Sequence, residues 1–322
     1  MQNKILIITN TIDYHADAII KEINQLGENL FFRLNTDYFH MNYEFKIEFN
    51  NHSFLIKNKI NGFSICSKEI KTVWWRRPED LNFENSDIPK HLHSFTDDEY
   101  YMVLKGLIAI LETDINVKIV SHPIDIIRAK DKIRQQILAS ELSLLTPSQI
   151  ITNSNAFFTE QNWKNNAIVK PIDSTNDIID ENGNEYVSYT KELNDDLLNK
   201  IVSKELKLSI HYFQEKIKPE FEVRATFFDN KLYPFMIKGN YNVDWRQIDP
   251  SKISFTYFKD FPFIKECITF ANRLNLKYGA FDFIYNGDFY YFLECNPNGQ
   301  FLFCDINGEF GLAKKFAKFL NE

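Results

Sequence analysis

Three oxygen-bearing side chains interrupt an apolar stretch near the end of the chain, YGAFDFIYNGDFYYFLECNPNGQF at residues 278–301. They are Asp282, Glu294 and Asn296. Two carboxylates and one neutral amide form a set of hard oxygen ligands, which suits magnesium held jointly with substrate phosphates. Because unpaired carboxylates among phenylalanines would cost several kcal/mol, a shared cation explains this pattern. The alternative is a solvated acidic face.

Whether the three side chains meet depends on the turn between the two predicted strands. Side chains alternate between faces along a strand, so Glu294 and Asn296 share one face. A two-residue loop, Asn286-Gly287, would put Asp282 on the opposite face, whereas a three-residue loop at 286–288 puts all three on one face. We predict the three-residue loop, with Gly287 at its left-handed position. The Cα atoms of Asp282 and Glu294 would then be diagonal neighbours, roughly 7–8 Å apart.

Two lysines have the placement that a polyphosphate requires. Lys132 lies in RAKDKIRQQ on a predicted helix, and Lys170 ends the apolar strand of IVKP. Beside a magnesium site, lysine ammonium groups act as point charges for phosphate oxygens. The alternative for each is a surface lysine whose stem lies along apolar residues.

Two further strands carry candidate polar groups. The segment YFQEKI offers main-chain N–H and C=O groups that could read an adenine edge, with Gln214 and Glu215 as polar additions. In FEVRATFF, Glu222 and Arg224 are two residues apart and share a face. Arg224 could stabilise a phosphate or a transferred carboxyl group as negative charge moves in the transition state. The alternative is a simple ion pair between Glu222 and Arg224 on the sheet surface.

The elements that must position these residues follow from periodicity. The chain opens as a strand, a helix and a second strand, and then continues with short alternating segments at 43–75 and a helix at 95–111. Apolar residues at 126, 129, 133 and 137 predict one helix, which carries the basic residues on its other faces. Further strands follow, including a hairpin joined by Asp229-Asn230, and a helix at 263–275 precedes the acidic stretch.

Composition excludes several classes of protein. The 322 residues, of which 44% are hydrophobic, are enough for two or three domains with a real core. A net charge of −7 without a long basic run argues against a nucleic-acid partner. No apolar run approaches the roughly 20 residues of a membrane-spanning helix. The four cysteines have no metal-site spacing and no signal-peptide pattern is found, so we expect free thiols and a cytoplasmic location.

The order of these features resembles the ATP-grasp ligases, especially those similar to the ribosomal S6 glutamate ligase. A helix lysine, VKP, QEKI, EVR and D…E-x-N follow one another, and the resemblance covers most of residues 120–310. It implies an ATP-grasp fold of mixed α/β and α+β class, in which an N-terminal α/β pre-grasp domain precedes two α+β subdomains that clasp ATP. The implied parts are a pre-grasp domain at 1–120, a central subdomain at 121–208 and a C-terminal subdomain at 209–322.

The resemblance also implies ligands for each candidate residue. ATP phosphates would contact Lys132 and Lys170, and magnesium, expected as two ions, would be held by Asp282, Glu294 and Asn296. The remaining nucleotide contacts would come from Gln214, Glu215, Lys216, Ile217 and Glu222. The loop at 173–190 lacks the Gly-rich sequence that covers phosphates in many relatives, so that role would pass to Ser174, Thr175 or main chain.

A closer resemblance is to the graspetide, or microviridin-type, peptide maturases. It is carried by VWWRRP at 73–78, SHPIDIIRAKDKIRQQ at 121–136, FEVRATFF at 221–228 and DWR at 244–246. It implies a ribosomal precursor peptide as partner, whose leader segment docks on the enzyme. A peptide Asp or Glu is phosphorylated and then captured by a Thr or Ser hydroxyl or a Lys amine. A homodimer is also expected.

This closer resemblance adds substrate and catalytic candidates. Arg76, Arg77 and Arg246 would grip acidic side chains or the leaving phosphate, since arginine binds both in a bidentate way. Arg224, Lys170 and Arg246 are the catalytic candidates, and Glu222 or Asp244 could serve as general base. The alternative for WWRR is structural, with arginine stacked on tryptophan at a seam between domains.

Two other functions remain open from the sequence. A related ligase could add free amino acids to a protein tail or small molecule, which requires a small closed acceptor pocket. A non-catalytic peptide-binding module is the other alternative. The presence of Lys170, Arg224, Asp282, Glu294 and Asn296 together argues against a decayed site.

Overall fold

We describe a computed structural model of the chain, covering residues 4–154, 166–172, 178–179, 185–186, 190–194, 210–239 and 252–322. Within these ranges no helix is long and apolar enough to cross a membrane. The four cysteines, all of them in the described part, are free thiols, as expected.

The N-terminal part is built on a parallel sheet with the predicted strand-helix-strand opening. Its strand order is β2-β1-β6-β7. Asp13 caps the first helix by accepting from the His15 and Ala16 main-chain N–H groups at 3.1 and 3.2 Å. The elements are β1 Lys4–Thr9, α1 Tyr14–Leu26, β2 Phe31–Asn35, β6 Ile70–Trp75 and β7 Lys118–Val120.

A small antiparallel sheet and a long helix complete this part, and both were predicted. The sheet has the order β3-β4-β5. Its strands and the neighbouring helices are α2 Phe39–Asn42, β3 Tyr43–Glu48, β4 Ser53–Asn58, β5 Ser64–Cys66 and α3 His93–Leu111.

The single helix predicted around residues 126–137 is wrong. The chain forms two helices, α4 Pro123–Lys130 and α5 Lys132–Glu141, because Asp131 is extended and its carboxylate caps α5 by accepting from the Arg134 N–H at 3.1 Å. The break rotates the second helix relative to the first. Ile133 and Ile137, predicted as buried, are therefore 55% and 58% exposed, and Gln135 is buried in their place.

The central sheet is antiparallel and has the order β12-β9-β13-β8. A separate two-stranded antiparallel pair follows Lys170. The strands of this region are β8 Gln149–Thr152, β9 Ala167–Lys170, β10 Ile178–Ile179, β11 Glu185–Tyr186, β12 Lys191–Glu192 and β13 His211–Glu215.

The C-terminal sheet has five antiparallel strands in the order β16-β15-β14-β17-β18. The predicted tight turn at Asp229-Asn230 is confirmed, since both residues have positive φ (54° and 53°), as a two-residue hairpin turn requires. The elements are β14 Phe221–Phe228, β15 Lys231–Lys238, β16 Ser254–Tyr257, α6 Ile264–Arg273, β17 Tyr278–Tyr285, β18 Tyr290–Asn296 and α7 Leu312–Asn321.

Two of the apolar cores join elements from different parts of the chain. One core packs α5, through Leu138 and Ala139, against the C-terminal sheet. Another joins the N-terminal sheet to β14, β15 and α7, with Trp74 of β6 in edge contact with Phe316 of α7. The boundaries at 120/121 and 208/209 stay predictions, and these cores show that packing extends across them.

Candidate active site

The hairpin of β17 and β18 brings the predicted oxygen ligands to one face. Asp282 pairs directly with Glu294, and Ala280 pairs with Asn296. Because residues that pair directly across strands share a face, Asp282, Glu294 and Asn296 all do so. Direct neighbours lie closer than the diagonal offset predicted from the sequence.

The predicted three-residue loop is wrong, but a β-bulge still places Asp282 and Glu294 on the same face. Tyr285 pairs with Tyr290, so the loop spans 286–289 and is closed by the Asn286 N–H donating to the Phe289 carbonyl at 3.1 Å. With this loop alone, Glu294 would face away from Asp282. A register shift after Asp282 leaves Leu293 as the extra residue of β18 and returns Glu294 to the same face.

Arg224 binds one of these carboxylates. It lies on β14 directly opposite Asp282, and its Nη1 donates to Asp282 Oδ2 at 2.5 Å. Burial lowers the pKa of the buried Arg224, but the neighbouring Asp282 outweighs this and raises it above the usual range. Arg224 thus pairs with Asp282 in a part-buried position, which leaves a permanent cation beside the oxygen ligands.

Both predicted phosphate lysines lie near Glu294. Lys132 Nζ is 3.8 Å from Glu294 Oε2 and donates to the Pro171 carbonyl at 2.9 Å. Lys170 Nζ donates to Gln214 Oε1 at 3.1 Å. Burial lowers the pKa of Lys170 to about 8, with Glu294 opposing this shift and Lys132 adding to it. The fold therefore brings α5, β9 and β18 together around two cations and one carboxylate.

A cavity of about 460 Å³, a usual volume for a small-molecule site, lies between the end of β13 and the turn of the β17–β18 hairpin, and its lining does not include Lys132, Lys170 or Glu294. We call it the hinge cavity. One side of it is lined by the predicted adenine-binding residues Glu215, Lys216 and Ile217 and by residues 218–220. The other side is lined by Asn286 and Tyr291 of the β17–β18 hairpin. The main-chain N–H groups of Glu215 and Lys216 donate to Ser148 and Asn166, so both are committed to the sheet.

Gln214 differs from its predicted role beside adenine. Its side chain is 2% exposed, and both of its polar atoms bind within the protein, to Lys170 and to Gln149. Gln214 therefore contacts a predicted phosphate ligand and not the hinge cavity.

The strap, defined as residues 297–302, follows Asn296 and is bound at almost every main-chain group. Arg76 Nη1 donates to the Asn298 carbonyl at 2.6 Å, the Tyr278 hydroxyl donates to the Gly299 carbonyl, and Arg224 donates to the Gln300 carbonyl at 2.8 and 3.1 Å. His15 accepts from the N–H groups of residues 301 and 302 at 3.0 and 3.1 Å. The strap thus fixes the end of β18, where the oxygen ligands lie.

His15 serves this role as a neutral acceptor. Burial, together with the charge of Arg76, lowers the pKa of His15 to about 4. Its Nε2 is therefore unprotonated near neutral pH and can accept both strap N–H groups. The sequence contained no local signal for this contact, since the partner residues are 286 and 287 positions away.

Arg76 is a structural residue in this fold, which corrects its prediction as a substrate ligand. It is 2% exposed, its Nε lies 3.3 Å from Asp13 Oδ2, and its guanidinium lies 5.9 Å from the centre of the Trp74 ring. The stacked seam proposed as the alternative for WWRR describes Arg76 correctly. Arg77, by contrast, has a side chain that is 56% exposed, so it stays a substrate candidate.

Four predicted residues lie outside the described ranges. They are Asp244 and Arg246 of the DWR motif and the two phosphate-loop candidates Ser174 and Thr175. Their roles stay predictions.

Gln135 is a residue that the sequence prediction missed. Its side-chain NH₂ donates to the carbonyls of Ala129 and Cys295 at 2.6 and 2.7 Å, and its oxygen accepts from the Cys295 N–H at 2.8 Å. It binds the edge of β18 that no strand covers, next to Glu294. Asp131 could have indicated the burial of Gln135, because an aspartate is a common helix N-cap and here it ends α4 and begins α5.

Gly299 of the strap has no room for a side chain. A Cβ there would lie 2.5 Å from Arg224 Nη2 and 2.8 Å from Ala280 Cβ. We expect Gly299→Ala to lower the free energy of unfolding by about 1–3 kcal/mol, as overpacking does, and to displace Arg224. Denaturant unfolding measures this effect.

The matched control is Gly106→Ala in α3, where a Cβ would meet no atom within 4 Å. Alanine should be better than glycine in that helix interior by about 0.5–1 kcal/mol. Equal stability of the two variants would contradict the crowding argument.

Any metal ion at this site would be bound by two carboxylates and one amide. Among the described residues no group of three or more His, Cys, Asp or Glu side chains has metal-binding geometry. Asp282 and Glu294 on one face, with the amide of Asn296, still provide hard oxygen donors that leave coordination positions for phosphate oxygens.

Comparison with known proteins assigns the fold. The model of the MvdD pre-ATP-grasp domain matches residues 4–122. The macrocyclase MdnC from Microcystis aeruginosa MRC, solved with its precursor peptide MdnA, superimposes with a TM-score of 0.82 at 22% identity over 98% of each chain. The chain has the ATP-grasp fold.

Two further structures share the ATP-grasp fold at different distances. The RiPP-associated ATP-grasp ligase of Chryseobacterium gregarium, solved with ADP and a leader and core peptide, has a TM-score of 0.80 at 23% identity over 99% of this chain and 96% of that one. The D-alanine–D-alanine ligase of Bacillus anthracis, complexed with ATP, has a TM-score of 0.52 at 13% identity over 92% and 87%. No curated protein sequence matches the chain significantly. The resemblance to ATP-grasp proteins drawn from the sequence is confirmed.

Proposed function

We propose that this protein is an ATP-dependent peptide macrocyclase. The observation that carries the proposal is the meeting of Lys132, Lys170 and Glu294 beside the Arg224–Asp282 pair. Support for a peptide substrate comes from the match to a pre-ATP-grasp domain and from the solved relatives that contain precursor or leader and core peptides.

The proposed reaction has two steps. A side-chain carboxylate of the peptide attacks the γ-phosphorus of ATP, which gives an acyl phosphate and ADP. A Thr or Ser hydroxyl, or a Lys amine, of the same peptide then attacks the acyl carbon, loses a proton and releases phosphate. The products are an ω-ester or an ω-amide ring. Each ring removes the elements of water from the peptide.

The described side chains have matching tasks. Bringing an anionic carboxylate to a triphosphate requires positive charge, which Lys132 and Lys170 supply near Glu294. Arg224, held by Asp282, adds a cation at the acyl end of the site. Exposed Arg77 is the candidate for gripping an acidic peptide side chain, and Arg246 and Asp244 keep their predicted roles.

Magnesium fits the donor set. Asp282, Glu294 and Asn296 would hold it, and it would neutralise phosphate charge when bound. We take two ions and a homodimer as part of the proposal, and place the enzyme in the cytoplasm, where its thiols stay reduced.

The experiment is incubation of the protein with ATP, magnesium and the precursor peptide encoded beside its gene, followed by intact mass analysis. Losses in steps of about 18 Da, the mass of water, are expected for a macrocyclase. Gains that match added amino acids would point to a tailing ligase instead. An unchanged mass with the cognate peptide would favour the peptide-binding module.

A further inference from the structure

Three glutamine side chains form a continuous hydrogen-bonded chain across the site. Lys170 Nζ donates to Gln214 Oε1 at 3.1 Å, and Gln214 Nε2 donates to Gln149 Oε1 at 3.1 Å. Gln149 Nε2 donates to Gln136 Oε1 at 2.6 Å, and Gln136 Nε2 donates to the Leu293 carbonyl at 3.2 Å. We call Gln214, Gln149 and Gln136 the amide chain.

The two ends fix the direction of every amide in between. A lysine ammonium can only donate, so Gln214 must present its oxygen to Lys170. A main-chain carbonyl can only accept, so Gln136 must present its NH₂ to Leu293. Each glutamine therefore directs its oxygen towards the cation and its NH₂ away from it, and no single amide can turn without breaking two hydrogen bonds.

The amide chain connects the two groups that the proposed chemistry needs. It begins at Lys170 on β9, crosses β13 and β8 of the central sheet, and passes through α5 to β18 of the C-terminal sheet. It ends at Leu293, the bulge residue that turns the adjacent Glu294 towards Asp282. The Tyr212 hydroxyl also donates to the shared oxygen of Gln149, which anchors the middle of the chain.

We propose that Gln214, Gln149 and Gln136 are positioning residues, which hold the Lys170 ammonium at a fixed place relative to Glu294 for the binding of nucleotide phosphates. This inference rests on the proposed ATP-dependent function. Aligned amides polarise one another, so the bond to Lys170 is stronger than that of an isolated amide. Removing the Gln149 amide breaks its hydrogen bonds to both Gln214 and Gln136. Lys170 is then held less firmly, and it is no longer connected to Leu293.

The test is Gln149→Met, which keeps the length and neutrality of the side chain but removes its hydrogen bonds. Gln149 is half-buried, so the fold should tolerate the change. Calorimetric titration with ADP and magnesium should give about tenfold weaker binding, because a hydrogen bond that supports a charged group is lost. The control is Gln25→Met on the exposed surface of α1, which should bind ADP like the wild type.

A double-mutant cycle with Lys170→Met separates positioning from general damage. If the amide chain acts through Lys170, Gln149→Met should change ADP affinity little once Lys170 is methionine. Two results would overturn the inference. One is an equal loss of ADP affinity with lysine and with methionine at position 170, and the other is no loss when Lys170 is present. Gln136→Met tests the chain from its other end and should reproduce the loss, so an effect confined to residue 149 would also count against it.

Failure of the proposed function gives a different result. A wild-type protein that binds no ADP in the same titration would overturn the ATP-dependent function, and with it this inference. Normal ADP binding by the wild type and by both glutamine variants would overturn the amide chain alone.

Discussion

Replacing Glu294 by glutamine should slow product formation roughly 100-fold or more, since several kcal/mol of charge stabilisation are lost with a metal-binding carboxylate. The change keeps the size of the side chain. Glu294 pairs with Asp282 on the acidic face and lies 3.8 Å from Lys132, so its charge faces the proposed phosphates. Single-turnover product formation at several magnesium concentrations measures the loss, and magnesium-dependent thermal stabilisation by ADP provides a readout that does not depend on turnover.

The control for Glu294→Gln is Glu141→Gln. Glu141 is also paired with a cation, at 2.7 Å from Arg273, but its side chain is 56% exposed and lies on the outer surface of α5. This variant should keep normal activity and stability, because exposed ion pairs contribute little. A folded Glu294→Gln protein with wild-type turnover and wild-type magnesium dependence would refute the role given to this carboxylate.

Arg76→Met should destabilise the protein by about 3–5 kcal/mol, as the breaking of a buried ion pair does. It removes a fully buried cation and leaves Asp13 without its charge partner and the Asn298 carbonyl without its donor. Because the Asn298 carbonyl belongs to the strap, activity should fall as well, although Arg76 does not contact substrate. Denaturant unfolding measures the loss of stability.

The adjacent arginine is the matched control for Arg76. Arg77→Met removes the same charge from an exposed position, so the free energy of unfolding should change by less than about 0.5 kcal/mol. The two variants should thus separate by several kcal/mol. Similar stabilities would mean that the buried contacts of Arg76 do not hold the strap.

The sequence predicted most of the strands and the shared face of Asp282, Glu294 and Asn296, because each depends on local patterns. The alternation in YGAFDFIY and YYFLECN indicated two strands, and their polar positions indicated a shared face. The loop length was wrong because the bulge at Leu293 compensates for a longer turn. The extra loop residue and the extra bulge residue each shift the register by one, so together they leave Asp282 and Glu294 on the same face. No local sequence pattern distinguishes this arrangement from a three-residue loop without a bulge.

Residues that act through distant main-chain groups could not be found in this way. His15, Gln135 and Arg76 each bind a segment that becomes a neighbour only after folding. Gln135 was missed because the apolar spacing was followed through Asp131 without a break. Arg76 resembled a substrate ligand because an arginine at a strand end carries no sign of whether its partner is a peptide or the protein's own strap.

The last helix, α7, returns to the beginning of the chain and packs on α1 and the parallel sheet. Trp74 and Phe316 meet there, and Phe228 of the C-terminal sheet contacts the same phenylalanine. The first and last portions of the protein therefore share one apolar core, and the strap, which His15 of α1 binds, is held from both ends of the chain.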